Sequence, residues 1–310
     1  MRILSLLPAA TEIVYFLGLW DQLVGVSADS DWPPEVIHLP FVSQAALEPT
    51  ELSSWEVDQA VWAHQGRSLF HFEPDLLREL RPELVLTQEL CRVCAVSAPE
   101  VEAAVKALGY RPTLLSLSAS TLDDMLADVE AVGRAAGVAE RAVRLVGLLR
   151  ARLAAVRRRT EGTARPRVLC LEWLDPPYSA GHWVPEMVEI AGGVDMLGSR
   201  GGYSRPIAWE DALRAQPEAL LLIPCSLPLA RVAAEFPHVR ARPGWQELPA
   251  VRAGRVFAAD THLFSQAGPR LVDGVEALAR MLHPERFEEP LPEGQALRLS
   301  ADGQRLEPYC

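Results

Sequence analysis

The chain contains no run of about 18 uninterrupted apolar residues, the length a helix needs to cross a bilayer, so no membrane insertion is expected. Positive charge is scarce. Thirty Lys and Arg face 41 Asp and Glu, a formal net charge of −11 that argues against nucleic-acid or anionic-membrane partners. Lysine is almost missing: Lys106 is the only one, a bias we read as genome composition. Cysteine is sparse, odd in number and scattered (Cys91, Cys94, Cys170, Cys225 and Cys310), unlike a disulfide framework. The first residues carry no charged n-region, apolar h-region or cleavage site. Cysteine usage and the missing signal predict a cytoplasmic protein as written, periplasmic or extracellular only if the start codon is misassigned. Also absent are the Gly-x-Ser-x-Gly elbow, the Gly-x-x-x-x-Gly-Lys phosphate loop and His-Glu-x-x-His. The expectation is a protein that is not an enzyme and requires no cofactor.

What is present is an ample core: 49% hydrophobic residues in a chain of 310, longer than one core usually sustains, so two domains are expected. Strand candidates at 2–6, 23–26, 84–87 and 113–117 alternate with helix candidates at 11–18, 50–64, 74–80 and 98–108. Alternation of this kind implies a parallel sheet with covered faces. It resumes after Pro166, with strands at 167–171, 219–223 and 255–259 and helices at 184–191, 207–215, 227–235 and 268–282. The last stretch, 296–306 with Asp302-Gly303 at its turn, reads as a small hairpin or as a disordered tail.

Between the two halves lies a helix predicted over 138–160. Ala142, Leu145, Val146, Leu149, Leu153 and Val156 form one apolar stripe, with a basic flank that includes Arg157, Arg158 and Arg159. Such a helix spans about 34 Å. The expected fold class is α/β, two Rossmann-like lobes with mainly parallel sheets joined by a single long helix. The domains are an N-terminal lobe at 1–120, a helical linker at 121–165, a C-terminal lobe at 166–284 and a tail at 285–310. A single stiff connector predicts a cleft that changes little on binding.

The strand-end loops hold the unusual residues. Aromatics gather there (Trp32, Trp173, Tyr178, Trp183, Tyr203 and Phe264), a lining that suits a large, flat, partly apolar ligand in the cleft. Polar candidates beside them are Thr11, Gln44 and Glu172, with backbone groups at Pro8, Ala9 and Ala10.

Pro8-Ala9-Ala10-Thr11-Glu12, Ser30-Asp31-Trp32-Pro33-Pro34 and Pro176-Pro177-Tyr178-Ser179-Ala180-Gly181 occur in that order. Together with 188–193 they resemble the substrate-binding proteins of ABC importers for cobalamin, haem and iron–siderophores, the cobalamin binders above all. The resemblance covers about residues 2–283. It implies a class III periplasmic-binding-protein fold and a small-molecule metal complex (cobalamin, haem or ferric siderophore) as ligand. Trp32 and Tyr178 would face that ligand, with His262 and Phe264 on the last cleft loop. An ABC permease is the implied partner, docked through Asp75 on one lobe and Glu210 on the other.

Two features depart from that family. Exported members carry a signal or a lipid-anchoring cysteine, and the segment holding Cys91 and Cys94 is not one we associate with exported cobalamin binders. Cys91, Cys94, Cys225, His182 and His262 all lie on strand-end loops, and their convergence would give an axial ligand or a mononuclear metal site, with Cys91, Cys94, His182 and His262 as metal ligands. A second Cys-x-x-Cys, which a zinc ribbon needs, is absent. The alternative reading is therefore a cytosolic metal-thiol protein, enzyme or sensor. The bland reading of the pair is a partly buried thiol pair at a helix start.

Overall fold

The computed structural model of the chain describes residues 1–45, 52–63, 70–88, 98–106 and 108–310. These fall into two compact units. Unit 1 comprises Met1–Pro49, Gln59–Leu149 and Ala267–Pro269; unit 2 comprises Thr50–Asp58, Arg150–Gln266 and Arg270–Cys310.

In unit 1, β1 (Ile3–Ser5) and β2 (Leu23–Gly25) are followed by β3 (Ser43–Ala45) and β4 (Phe70–Phe72), then β5 (Leu84–Gln88) and β6 (Thr113–Leu117). The main sheet is parallel throughout, in the order β2-β1-β5-β6. Every residue of β1 is buried, as a central strand covered on both faces must be. Strands β3 and β4 form a separate antiparallel pair. Helix α1 (Pro8–Phe16) starts three residues before the predicted 11. Pro8 takes the first turn, where its missing N–H removes no helical bond, so residues 8–10, expected ahead of the helix, are already helix.

The remaining helices of the first half are α2 (Ser54–Ala63), α3 (Pro74–Leu80), α4 (Ala98–Lys106), α5 (Leu122–Ala135) and α6 (Ala139–Thr160). A capping box starts α5: Asp124 N–H donates to Thr121 Oγ1 at 3.1 Å, and Thr121 N–H to Asp124 Oδ2 at 2.9 Å. Gly133 lets α5 lie close to α6, because a Cβ there would stand 2.3 Å from that of Ala142. Along α6, Ala142, Val146, Leu149, Leu153 and Val156 of the predicted stripe are buried, Leu145 is half-buried, and Arg157 to Arg159 are exposed. Its residues to Leu149 belong to unit 1 and those from Arg150 to unit 2.

Unit 2 carries β7 (Arg167–Trp173), β8 (Tyr178–Ser179), β9 (Val194–Asp195), β10 (Arg205–Pro206), β11 (Ala219–Leu222), β12 (Val256–Ala259), β13 (Ala296–Leu299) and β14 (Leu306–Pro308). They form a mixed sheet in the order β10-β8-β7-β11-β12-β13-β14, with β9 also on β7. Helices α7 (Val184–Ile190), α8 (Trp209–Ala215), α9 (Leu229–Arg240), α10 (Pro249–Arg252) and α11 (Leu271–Leu282) complete the unit. Arg152 of α6 reaches α11, donating to Asp273 at 2.5 Å and to Glu276 at 2.9 Å.

Of the two readings of the C-terminal stretch, the hairpin is the one observed. β13 pairs with β12 and β14, and Asp302 closes the turn by accepting from Ser300 Oγ and Gln304 N–H. Helix α9 runs past its expected end at 235 and carries Pro237 within it. Helix α11 begins at Leu271, not at 268, with Arg270 at its N-cap.

Candidate functional site

Because β2, β1, β5 and β6 are parallel, the loops leaving their carboxyl ends share one side of unit 1, the side where such sheets bind ligands. A chain of buried hydroxyls ties two of those exits together. Thr11 donates to Ser5 Oγ at 2.8 Å and lies 3.0 Å from Ser30 Oγ, which is 2.9 Å from Ser27 Oγ. The Thr11 hydroxyl is thus spent on the fold. Ala9 and Ala10 are buried beside it and Pro8 is half-buried.

Trp32 is half-buried on the loop after β2. Phe16 stacks on it, centroids 5.5 Å apart and planes at 21°, and Tyr15 meets it edge-on at 4.8 Å. Sequence reading missed both supporting rings. Their signal was two adjacent aromatics ending a helix. On the same loop, burial pushes the Asp29 carboxyl up to about 7, with the Asp31 charge adding to it. Gln44 is exposed on β3. Asp75 is exposed in the first turn of α3, paired with Arg78.

In unit 2, β7, β11 and β12 are parallel and their following loops again share one side. Glu172, near the end of β7, accepts the Gly181 N–H at 3.1 Å. Burial pushes its carboxyl up to about 7; the Gly181 and Ser204 hydrogen bonds oppose this, and the Asp195 charge adds to it. Asp195 itself is raised to about 6 by burial, against hydrogen bonds from Gly198, Leu197 and the Cys170 thiol. The folded protein therefore holds the Glu172 proton more tightly than the unfolded chain, whose value is 4.5. That contribution to stability is full below the unfolded value and is lost as pH rises through the folded one. Glu172→Gln, which imitates the protonated acid, is expected to gain about 2 kcal/mol over wild type between about pH 5 and about pH 8. Urea unfolding of both proteins at the two pH values measures this. A difference independent of pH would contradict it.

Two of the predicted ring contacts have occupied polar heads. Trp173 Nε1–H donates to Ser54 O at 3.0 Å, and Tyr178 O–H to Asp58 Oδ1 at 2.9 Å. Ser54 is held in turn by Glu235, which also pairs with Arg231. Sequence reading missed Ser54, Asp58 and Glu235, since nothing local in a sequence announces a partner more than a hundred residues away. Trp183 and Phe264, expected as ligand-facing rings, are 6% and 1% exposed. The Trp183 indole N–H donates to the Phe264 carbonyl at 2.6 Å, so both rings serve the interior of unit 2. Tyr203 is 66% exposed and meets His182 edge-on at 5.3 Å. Glu210 is exposed in the first turn of α8, the place that Asp75 has in α3.

His182 adopts a left-handed conformation with φ of 50°. Burial holds its imidazole below the usual range, and Nδ1 has no hydrogen-bond partner among the described residues. His262 pairs its Nδ1 with Asp260 at 2.7 Å. Burial pushes the Asp260 carboxyl up, but the His262 hydrogen bond and charge outweigh it and leave it below the usual range. Of the proposed metal ligands, His182 and His262 are among the described residues. Among the described residues, no three His, Cys, Asp or Glu side chains form a group able to hold an ion. Cys225 is partly exposed, and Cys91 and Cys94 lie outside the described residues.

Compared with known proteins, the chain matches the periplasmic binding protein family over residues 3–263. The chain belongs to that family. Among curated members, it is 26% identical to the vitamin B12-binding protein of Vibrio cholerae, covering 91% of this chain and 88% of the relative. It is 25% identical to YvrC of Bacillus subtilis, an uncharacterized ABC transporter substrate-binding lipoprotein, covering 93% and 82%. Among solved structures, the periplasmic haem-binding protein RhuT from Roseiflexus sp. RS-1 has a TM-score of 0.70 at 25% identity, covering 92% and 99%. The periplasmic vitamin B12 binding protein BtuF of Vibrio cholerae has 0.67 at 24%, covering 93% and 98%, a likeness of fold. The fold is the class III periplasmic-binding-protein fold expected from the sequence. These relatives are described as periplasmic proteins or as a lipoprotein, which lends no support to the expected cytoplasmic location.

Proposed function

We propose that this periplasmic binding protein captures a metal tetrapyrrole, a corrinoid such as vitamin B12 in first place and haem in second, and delivers it to an ABC-type permease. The observation that carries the reading is the match to vitamin B12-binding proteins, which spans 91% of the chain. Taken by itself, unit 1 offers the supported Trp32 ring, an aromatic face that suits a large flat ligand, and unit 2 by itself offers Tyr203 beside His182, whose imidazole burial holds below the usual range. Asp75 and Glu210, each exposed in a first helical turn, are the proposed acidic contacts to the permease.

Absorbance titration with cyanocobalamin and with haemin tests the ligand. Wild type is expected to bind at least one of them with micromolar or tighter affinity, and Trp32→Ala to bind about tenfold more weakly. The variant with both Asp75→Lys and Glu210→Lys is expected to keep wild-type affinity and to lose stimulation of permease ATPase. A Trp32→Ala protein that binds like wild type would remove Trp32 from the site.

A further inference from the structure

We propose that Phe16 and Tyr15, at the end of α1, are positioning residues that fix the plane of the Trp32 ring before any ligand arrives. The inference rests on the reading of Trp32 as a ligand contact. Helix α1 already anchors itself through Ile13 and Val14, which are fully buried, and its last two residues lie on the other side at 42% and 37% exposure. Burial in a core therefore does not account for two large rings there. Their partner does: Phe16 stacks on Trp32, Tyr15 meets it edge-on at 74°, and Tyr15 is braced by Trp20 at 6.1 Å.

The stem of the Trp32 loop has its own restraints. Ser30 N–H donates to Ser27 O, and the Ser30 hydroxyl joins the buried chain to Thr11. Those bonds hold the backbone two residues before Trp32, and the Phe16 and Tyr15 rings pack on the indole itself. Swinging the indole to another rotamer would break the stack and the edge contact together. A side chain ordered in advance spares the ligand the cost of ordering it, which corresponds to about two- to tenfold in affinity for one aromatic contact.

The test combines a ligand-free signal with binding. Protein labelled with 5-fluorotryptophan gives a Trp32 fluorine line, identified by its loss in Trp32→Ala. We expect one narrow line in wild type and in Phe16→Tyr, and a shifted or broadened line in Phe16→Ala. Phe16→Ala should bind cyanocobalamin or haemin about two- to tenfold more weakly at unchanged unfolding midpoint, Phe16→Tyr should restore affinity, and Phe16→Ala should add nothing on a Trp32→Ala background. An unchanged fluorine line, or a full additional loss in the double variant, would overturn the proposal. Should wild type bind neither probe, the ligand reading fails, and the fluorine line alone still decides whether Phe16 holds the ring.

Discussion

Gly181→Ala is expected to destabilise the protein by about 3 kcal/mol, a large effect for one methyl group. The segment at 181–182 runs beside 201–204. His182 N–H donates to Gly202 O at 2.6 Å, and Gly201 N–H to His182 O at 2.8 Å. A Cβ on residue 181 would stand 2.3 Å from Ser204 N, 2.6 Å from the Tyr203 carbonyl carbon and 2.7 Å from Gly202 O. All three are backbone atoms, so no rotamer change relieves the overlap. One segment has to move, which stretches those bonds and the bond from Gly181 N–H to Glu172. Chemical denaturation measures the cost, and a loss under about 1 kcal/mol would mean that the two segments are not packed as described. The same displacement would shift His182 and Tyr203, so, with both at the ligand as proposed, affinity should fall with it.

The other large effect lies in the core of unit 2. Trp245 is 1% exposed, stacks on Trp209 at 6.3 Å and meets Phe236 edge-on at 5.8 Å, among Leu220, Leu248 and Val256. Trp245→Ala removes the ring and leaves a cavity between two helices, α8 and α9, with an expected cost of about 4 kcal/mol. Trp245→Phe should cost about half as much or less. It keeps a ring at the centre of the stack and removes an indole N–H that has no hydrogen-bond partner among the described residues. The order of the two variants in a denaturation series is the discriminating result. A phenylalanine variant as unstable as the alanine one would show that the indole nitrogen or the full ring volume is needed.

What the sequence revealed, and what it hid, follows from range. Strands β5 and β6 stood out as apolar runs, and α6 by its stripe. Each of these signals is local. Strands β3, β4, β8, β9 and β10 are two or three residues long, too short for any periodicity, and exist because distant segments pair with them. Pro8 and Pro237 misled in the same way: each is tolerated within a helix, yet in a sequence each reads as a boundary.

The candidate site divides along the same line. Trp32 was proposed from its place on a strand-end loop and from the family resemblance, while the two rings that brace it left no such sign, because their role depends on how α1 turns against the loop. Loop aromatics were read as lining a cleft, but Trp183 and Phe264 turn inward, where the Trp183 indole N–H donates to the Phe264 carbonyl. His182 and His262 shared a loop class but have different partners: one lies beside Tyr203, the other is paired with Asp260.

Calorimetric titration of the full chain with cyanocobalamin and with haemin decides the central claim. Saturable heat at micromolar concentrations with at least one of the two is the expected outcome. Dilution heat alone with both would contradict the assignment of a metal tetrapyrrole as the ligand.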